Sequence, residues 1–252
     1  MWQTVTYALM CKLPEVGRVK TRLTPALTPE QACELHRLFL MHLIDRIVTL
    51  PMDLPFIVFD PAERREQALA LMGDIVLAEN VIPQCEGDLG QRLAGATERI
   101  RQERPGRPIL FLGADSPDVP LSHLQQAGRL TGQGDVVLGP AADGGYWCLG
   151  VGANVIVQTL LAGVQWSSGA ECAQTISNAG MHGYSIALAD AWQDVDRPED
   201  LLALSGRLAA SQDPADKRLL EHVAPFKDAL LPAGPADSNP ADATDPAARE
   251  NN

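Results

Sequence analysis

Residues Pro108–Pro120 read PILFLGADSPDVP. The first six, Pro108 to Gly113, form a short apolar run closed by glycine, the pattern of a strand buried on both faces. Polar, turn-forming residues follow at once, with Asp115 just past the run and Ser116 and Pro117 behind it. In an open α/β sheet, ligands bind outside the carboxyl ends of the strands. An acid at that place either opens a turn or faces a crevice, where it is well sited to hold a divalent cation.

Outward from this strand, short β-type runs alternate with longer helical ones, which argues for an α/β domain with a largely parallel sheet. On the N-terminal side, TVTYALM is a strand ending at Met10. Thr28, Pro29 and Gln31 then start a helix through a capping box with proline at the first helical position. Leu35, Phe39, Leu43 and Ile47 form its apolar face, widened by Leu38 and Ile44. FIVFD (Phe56 to Asp60) is a strand, Glu63 to Met72 a helix, IVLAE (Ile75 to Glu79) a strand, and Leu89 to Arg104 a helix.

On the C-terminal side the pattern predicts a helix at Leu121–Leu130, a strand at DVVLG and a hairpin at ADGGYWCLGV. Helices at Val155–Leu161 and Glu171–Ala179 follow, then a strand at YSIAL and helices at Pro198–Ala210 and Lys217–Leu231. Residues 1–231 therefore read as one domain. Residues 232–252, PAGPADSNPADATDPAARENN, have no large apolar side chain to offset their ordering entropy and are expected to be disordered.

The 252 residues are 46% hydrophobic, enough for a sizeable core, and carry a net charge of −12. That charge repels polyphosphates, so nucleic acid and anionic membrane are not expected partners. Five scattered cysteines fit neither a disulfide framework nor a paired zinc site. With no basic leader and no apolar run of about 20 residues, the expectation is a cytoplasmic protein. Histidines 36, 42, 123, 182 and 222 share no spacing and suggest no zinc or catalytic histidine.

Against this acidic background, CKLPEVGRVKTRL (Cys11–Leu23) packs Lys12, Arg18, Lys20 and Arg22 around Glu15 after the first strand. Val19 stands where a phosphate-binding P-loop needs glycine, so that motif is absent. A basic strand-to-helix loop remains, either a solvated surface or a clamp for phosphate oxygens. WQDVDRPEDLLAL places Asp194 and Asp196 before a helix opened by Pro198, as helix-capping acids or as metal ligands beside Asp115. QCEGDLGQRL sets Gly87 and Gly90 around Asp88, either a helix cap or a loop offering amides to a nucleotide. Asp143, Gly144 and Gly145 form a tight turn, where adjacent glycines also admit a ligand close to the backbone.

Taken in order, KLPEVGRVKTRL, QCEGDLGQRL, GADSPDVP, LGPAADGGYWCLG, WSS (Trp166–Ser168) and DVDRPEDL resemble a bacterial family. It is known as a domain of unknown function and as arsenosugar-biosynthesis-type glycosyltransferases, within the nucleotide-diphospho-sugar transferase superfamily. The resemblance spans about Tyr7 to Leu204. KTRL and DVDRPEDL are also similar to 2-phospholactate guanylyltransferases and molybdenum-cofactor nucleotidyltransferases. It implies a GT-A fold, a three-layer α/β/α domain with a mostly parallel central sheet.

The resemblance also implies roles. Lys12, Arg18, Lys20 and Arg22 would wrap the nucleotide phosphates, with Lys20, Arg22 and Asp115 catalytic. Gln84, Gly87, Asp88 and Gly90 would lie by base or ribose, and Asp143, Gly144, Gly145, Tyr146 and Trp166 by the acceptor. Asp115, Asp194 and Asp196 would hold Mg²⁺ or Mn²⁺, as the hardness of carboxylate ligands suggests. The family's D-x-D metal motif is replaced by Asp115-Ser116-Pro117-Asp118, leaving Asp115 alone at that end. Partners would be a nucleotide substrate and a small acceptor, with a homodimer expected from related enzymes. Three functions fit these residues: glycosyl transfer from an NDP-sugar, nucleotidyl transfer from an NTP with pyrophosphate release, and nucleotide binding without turnover.

Overall fold

The first strand, β1 (Thr6–Lys12), sits in the middle of the molecule with every residue from Thr6 to Leu9 buried. The computed structural model describes residues 4–51, 53–73 and 75–230, so the expected C-terminal tail lies outside the described residues. The other strands are β2 (Phe56–Asp60), β3 (Val81–Pro83), β4 (Ile109–Gly113), β5 (Val136–Pro140), β6 (Tyr146–Val151) and β7 (Ile186–Leu188). They form one sheet in the order β3-β2-β1-β4-β6-β5-β7. Its pairings are parallel except for β6, which runs antiparallel to both β4 and β5.

Eight α-helices complete the described chain: α1 (Pro29–Val48), α2 (Arg65–Met72), α3 (Leu89–Glu103), α4 (Leu121–Thr131), α5 (Val157–Leu160), α6 (Glu171–Met181), α7 (Pro198–Ala210) and α8 (Pro214–Asp228). Strand side chains alternate between faces, and each face has its own core. Leu9, Ile57 and Leu110 pack with Ile47 of α1, Met72 of α2 and Leu124 of α4. Ala8, Val58 and Phe111 pack with Ile100 of α3, Leu160 of α5 and Ala179 of α6. The architecture is the expected α/β/α sandwich. A third cluster joins Leu35 and Phe39 of α1 to Leu204 of α7 and Val223 of α8, which lie outside the main layers.

Local signals placed α1 well. Thr28 accepts a hydrogen bond from Gln31 N (3.2 Å), and Gln31 Oε1 accepts from Thr28 N (2.8 Å), the reciprocal box read from sequence. One strand expectation shifts: Ile75–Glu79 is not a strand, and the β3 pairing begins at Val81. Three residues beside β2 carry too little periodicity to fix the register, which is set by pairing with Ile57–Phe59. The helix expected over Val155–Leu161 is only the single turn α5.

Among the described residues no helix is long and apolar enough to cross a membrane. All five cysteines are free thiols. Burial pushes the Cys11 thiol up to about 12 and the Cys148 thiol higher still.

Candidate active site

Every parallel strand of the central sheet delivers its last residue to the same edge, and the hairpin turn between β5 and β6 lies there too. A cleft of about 810 Å³ opens at this edge. It is lined by Lys12, Arg18, Lys20, Arg22, Gln84, Asp115, Asp143, Gly145, Tyr146, Trp166, Asp194 and Asp196. The charged segments read separately from sequence thus converge on one cavity. Two of its lining residues, Lys20 (φ 48°) and Ser167 (φ 60°), are the non-glycine residues with positive φ among those described. Such conformations cost about 1–3 kcal/mol and concentrate at functional sites.

Lys20 stands apart from the other cations. Its side chain is 3% exposed and its ammonium is turned inward against Asp115. Nζ also donates to Val195 O (2.7 Å) and to Asp196 Oδ1 (3.1 Å). Burial works against its charge, yet the two carboxylates hold its pKa above the ordinary lysine value. Burial also works against the charge on Asp115, but the Lys20 ammonium holds that carboxyl below the usual carboxylate range. The acids remain open: the Asp115 side chain is 49% exposed and that of Asp196 is 37% exposed. Arg22 Nη1 reaches the other oxygen of Asp196 at 3.2 Å from the exposed side.

Asp194 supplies the uncompensated charge. Burial and the neighbouring Asp115, Asp196 and Asp143 push its carboxyl up to about 6, against a hydrogen bond from Ser116 Oγ (2.5 Å). This donor set fits a hard divalent cation in chemistry, because carboxylate oxygens crowd beyond what one ammonium neutralises. Among the described residues no three His, Cys, Asp or Glu side chains converge tightly enough to chelate an ion alone. An ion there would complete its shell with water and ligand phosphate, which is how Mg²⁺ is commonly held. Asp118 is not part of this set. Its two oxygens accept from Arg207 at 2.5 and 3.1 Å, and one also accepts from Trp192 Nε1 at 3.2 Å. Arg207 also donates to Gln193 Oε1 (3.1 Å), fixing the segment that carries Asp194 to the loop that carries Asp115.

The cleft also has a basic rim. Lys12, Arg18 and Arg22 are exposed there, Arg22 beside Asp196, and Arg18 pairs loosely with Glu15 at 3.4 Å. Gln84 is buried, donating to Cys11 O (3.1 Å) and Val58 O (2.9 Å), so it fixes the ends of β1 and β2 while lining the cleft. Asp88 caps α3 through a reciprocal box with Gln91. Gly87, Asp88 and Gly90 do not line the cleft. Their bland alternative describes them: Gly87 takes a positive φ at the turn, and Gly90 makes room for Trp166, whose ring would lie 3.2 Å from an added Cβ.

Three basic or acidic lining residues, Arg92, His36 and Glu171 at the start of α6, escaped the sequence reading. Arg92, one turn into α3, donates to Gly87 O (2.9 Å) and adds a cation to the basic rim. Its signal lay inside QCEGDLGQRL, where it follows the capping acid by four positions. His36 had no such signal, being embedded in the apolar face of α1. Its Nε2 donates to Lys12 O (2.9 Å), burial lowers its pKa, and its Nδ1 is buried without a partner.

The remaining wall comes from the hairpin and the loop before α6. Asp143 Oδ1 accepts from Gly145 N (2.9 Å), closing the turn. Gly144 does not line the cleft; with φ 89°, its added Cβ would lie 1.9 Å from Gly169 O. It joins the two loops, and Tyr146 and Trp166 present the aromatic surface.

Residues 44–168 match a family described as uncharacterized proteins conserved in bacteria, DUF2064. A solved structure from Desulfovibrio desulfuricans G20, provisionally named a nucleotide-diphospho-sugar transferase, shares 24% identity. The match covers 90% of this chain and 97% of that one, with a TM-score of 0.79. A cytidylyltransferase from Leptospira borgpetersenii is similar over 93% of this chain and 99% of its own, at 11% identity and TM-score 0.53. The 4-diphosphocytidyl-2C-methyl-D-erythritol synthase of Anaerococcus prevotii is similar over 82% and 99%, at 8% identity and TM-score 0.52. These likenesses establish the nucleotide-diphospho-sugar transferase fold. No functionally curated protein matches the chain.

Proposed function

We propose that this protein transfers a group from an activated nucleotide, with an NDP-sugar donating its sugar to a small acceptor. The observation that supports it is the cleft itself, where exposed cations and carboxylates line one cavity at the carboxyl ends of parallel strands. Lys12, Arg18, Arg22 and Arg92 bind and orient the phosphates and offset charge gathering on the leaving diphosphate. Asp115, Asp194 and Asp196 would hold Mg²⁺ or Mn²⁺, which when bound supplies Lewis-acid neutralisation of phosphate oxygens. Lys20 keeps Asp115 ionised and aims both Asp115 and Asp196. The bond from the anomeric carbon to the diphosphate breaks with its electron pair leaving on NDP, and the acceptor hydroxyl oxygen bonds to that carbon as its proton passes to water. Positioning and electrostatics account for the rate, so no nucleophilic side chain is required.

The resemblance to arsenosugar-biosynthesis-type glycosyltransferases supports the sugar donor. A second reading, nucleotidyl transfer from an NTP with pyrophosphate release, is favoured by Arg92, because this half-buried cation and the three exposed ones can serve a triphosphate. A thermal-shift titration with NTPs and NDP-sugars, with and without Mg²⁺, tests both, since a true ligand stabilises with the logarithm of its concentration above Kd. Metal-dependent stabilisation by an NDP-sugar is expected. Stabilisation by NTPs alone transfers support to the second reading, and no response to any nucleotide refutes both.

A further inference from the structure

The charges lining the cleft are sorted along the chain. Its cations, Lys12, Arg18, Lys20, Arg22 and Arg92, all come from the segment after β1 and the first turn of α3. From Gly113 onward the lining contains Asp115, Asp143, Glu171, Asp194 and Asp196 and no lysine, arginine or histidine. A donor seated with its phosphates on the basic rim leaves the acceptor this second half.

Glu171 shows what that half is built for. It opens α6, is 7% exposed and still lines the cavity. One carboxylate oxygen accepts Ser168 N–H at 2.8 Å, and no cation pairs with the group among the described residues. The cavity is where a further donor can reach this carboxylate. Trp166 lines the same cavity, its ring held against α3 at Gly90. An aromatic face in a cavity with carboxylates suits a molecule with apolar C–H faces and many hydroxyl or ammonium donors. A phosphate placed there meets the like charge of Glu171 and Asp143.

Resting on the transferase reading above, we infer that the acceptor is a phosphate-free, hydroxyl-rich molecule, neutral or cationic, held by Trp166 and Glu171. Neutral sugars and amino sugars are the class. A phosphorylated acceptor, which the nucleotidyl-transfer reading accommodates readily, is excluded by this wall.

The test uses the full chain with the best-stabilising nucleotide and Mg²⁺ present, so that the basic rim is occupied. Glucose, galactose, mannose, glucosamine and glucose 6-phosphate are titrated by calorimetry, with tryptophan fluorescence in parallel. Glucosamine and at least one neutral sugar are expected to bind more tightly than glucose 6-phosphate by about tenfold or more. Glu171→Gln should shrink the glucosamine preference by about tenfold, whereas Trp166→Ala should weaken all sugars alike. Asp143→Asn, at the exposed turn, provides a second charge variant should Glu171→Gln not fold, and should shrink the same preference.

The inference is overturned if glucose 6-phosphate binds as well as the unphosphorylated sugars. It is also overturned if neither charge variant changes the preference, or if no sugar binds. Each of those results can occur with nucleotide binding intact, leaving the transferase reading standing. Loss of the nucleotide response itself would instead remove that reading.

Discussion

Two networks in this molecule bury a cation among carboxylates, and they differ in which partner is left open. On the far side of α1, Arg46 is 4% exposed and pairs with Asp216, itself only 9% exposed, on α8. Arg46 also donates to Val119 O (2.9 Å), His42 Nε2 lies 3.3 Å from Asp216, and Ser211 Oγ donates to it at 2.7 Å. Burial opposes the charge on Asp216, but His42, Ser211 and Arg46 together hold its carboxyl below the usual range. The central pair is enclosed, with Asp213 adding a longer, half-buried contact to Arg46 at 3.6 Å. At the cleft, Lys20 is as deeply buried as Arg46, yet Asp115 and Asp196 open to solvent and the lysine backbone is in the left-handed region. The closed network binds α8 to α1, whereas the open one keeps Asp115 charged and turned toward the cleft. Similar chemistry therefore serves stability in one place and ligand handling in the other.

The difference can be broken from either side. Asp216→Ala leaves the buried Arg46 guanidinium with only Val119 O and a longer pair to the half-buried Asp213 (3.6 Å), which should cost up to about 3–5 kcal/mol. Urea unfolding would show it, with nucleotide binding by the folded fraction unchanged. Asp115→Asn should invert that outcome. Turnover, or metal-dependent nucleotide stabilisation before a substrate is known, should fall about 10²–10³-fold, while the unfolding midpoint stays near wild type because Lys20 keeps Asp196 and Val195 O. If Asp115→Asn unfolds the protein and Asp216→Ala abolishes nucleotide binding, the assignment of the two networks is reversed.

Asp194 gives a pH signature to the open network. Its folded carboxyl is raised from 3.8 to about 6, so the folded state binds its proton more tightly than the unfolded chain does. Its contribution to stability is complete below the unfolded value and is lost as pH rises through about 6. Without metal, Asp194→Asn should remove that part of the pH dependence between these limits, as measured by chemical unfolding at several pH values. The smallest effect is expected at Arg22. Its exposed pair with Asp196 is worth at most about 0.5–1 kcal/mol, so Arg22→Ala should barely move the midpoint while weakening nucleotide binding.

The same contrast explains what could be read from sequence. The cap of α1 at Thr28 and Gln31, the strand at Phe56–Asp60 and the helix at Pro198–Ala210 are written in local residue choice, and the structure reproduces them. So is the clustering of cations and acids at the ends of strands, because sheet topology carries those ends to one edge. What local pattern cannot convey is which charge finds which. Lys20 reads as one phosphate-binding cation among four, but in the fold it crosses to the acids 95 and 176 residues away. Asp118, three residues from Asp115, is drawn off by Arg207. The strand expected at Ile75–Glu79 fails for the same reason, since pairing with β2 decides where the edge strand begins.

The reversed direction of β6 has a consequence for how this fold can diversify. Because the strand runs against its neighbours, its hairpin turn projects at the edge where the donor is expected, while the β1 and α3 elements that would grip phosphate belong to other segments. Lengthening or exchanging the turn between Pro140 and Tyr146, together with the loop that Gly144 touches at Gly169, would graft a different acceptor wall onto an unaltered nucleotide cradle. Chimeras cut at those two points are a rational route to new transfer specificity.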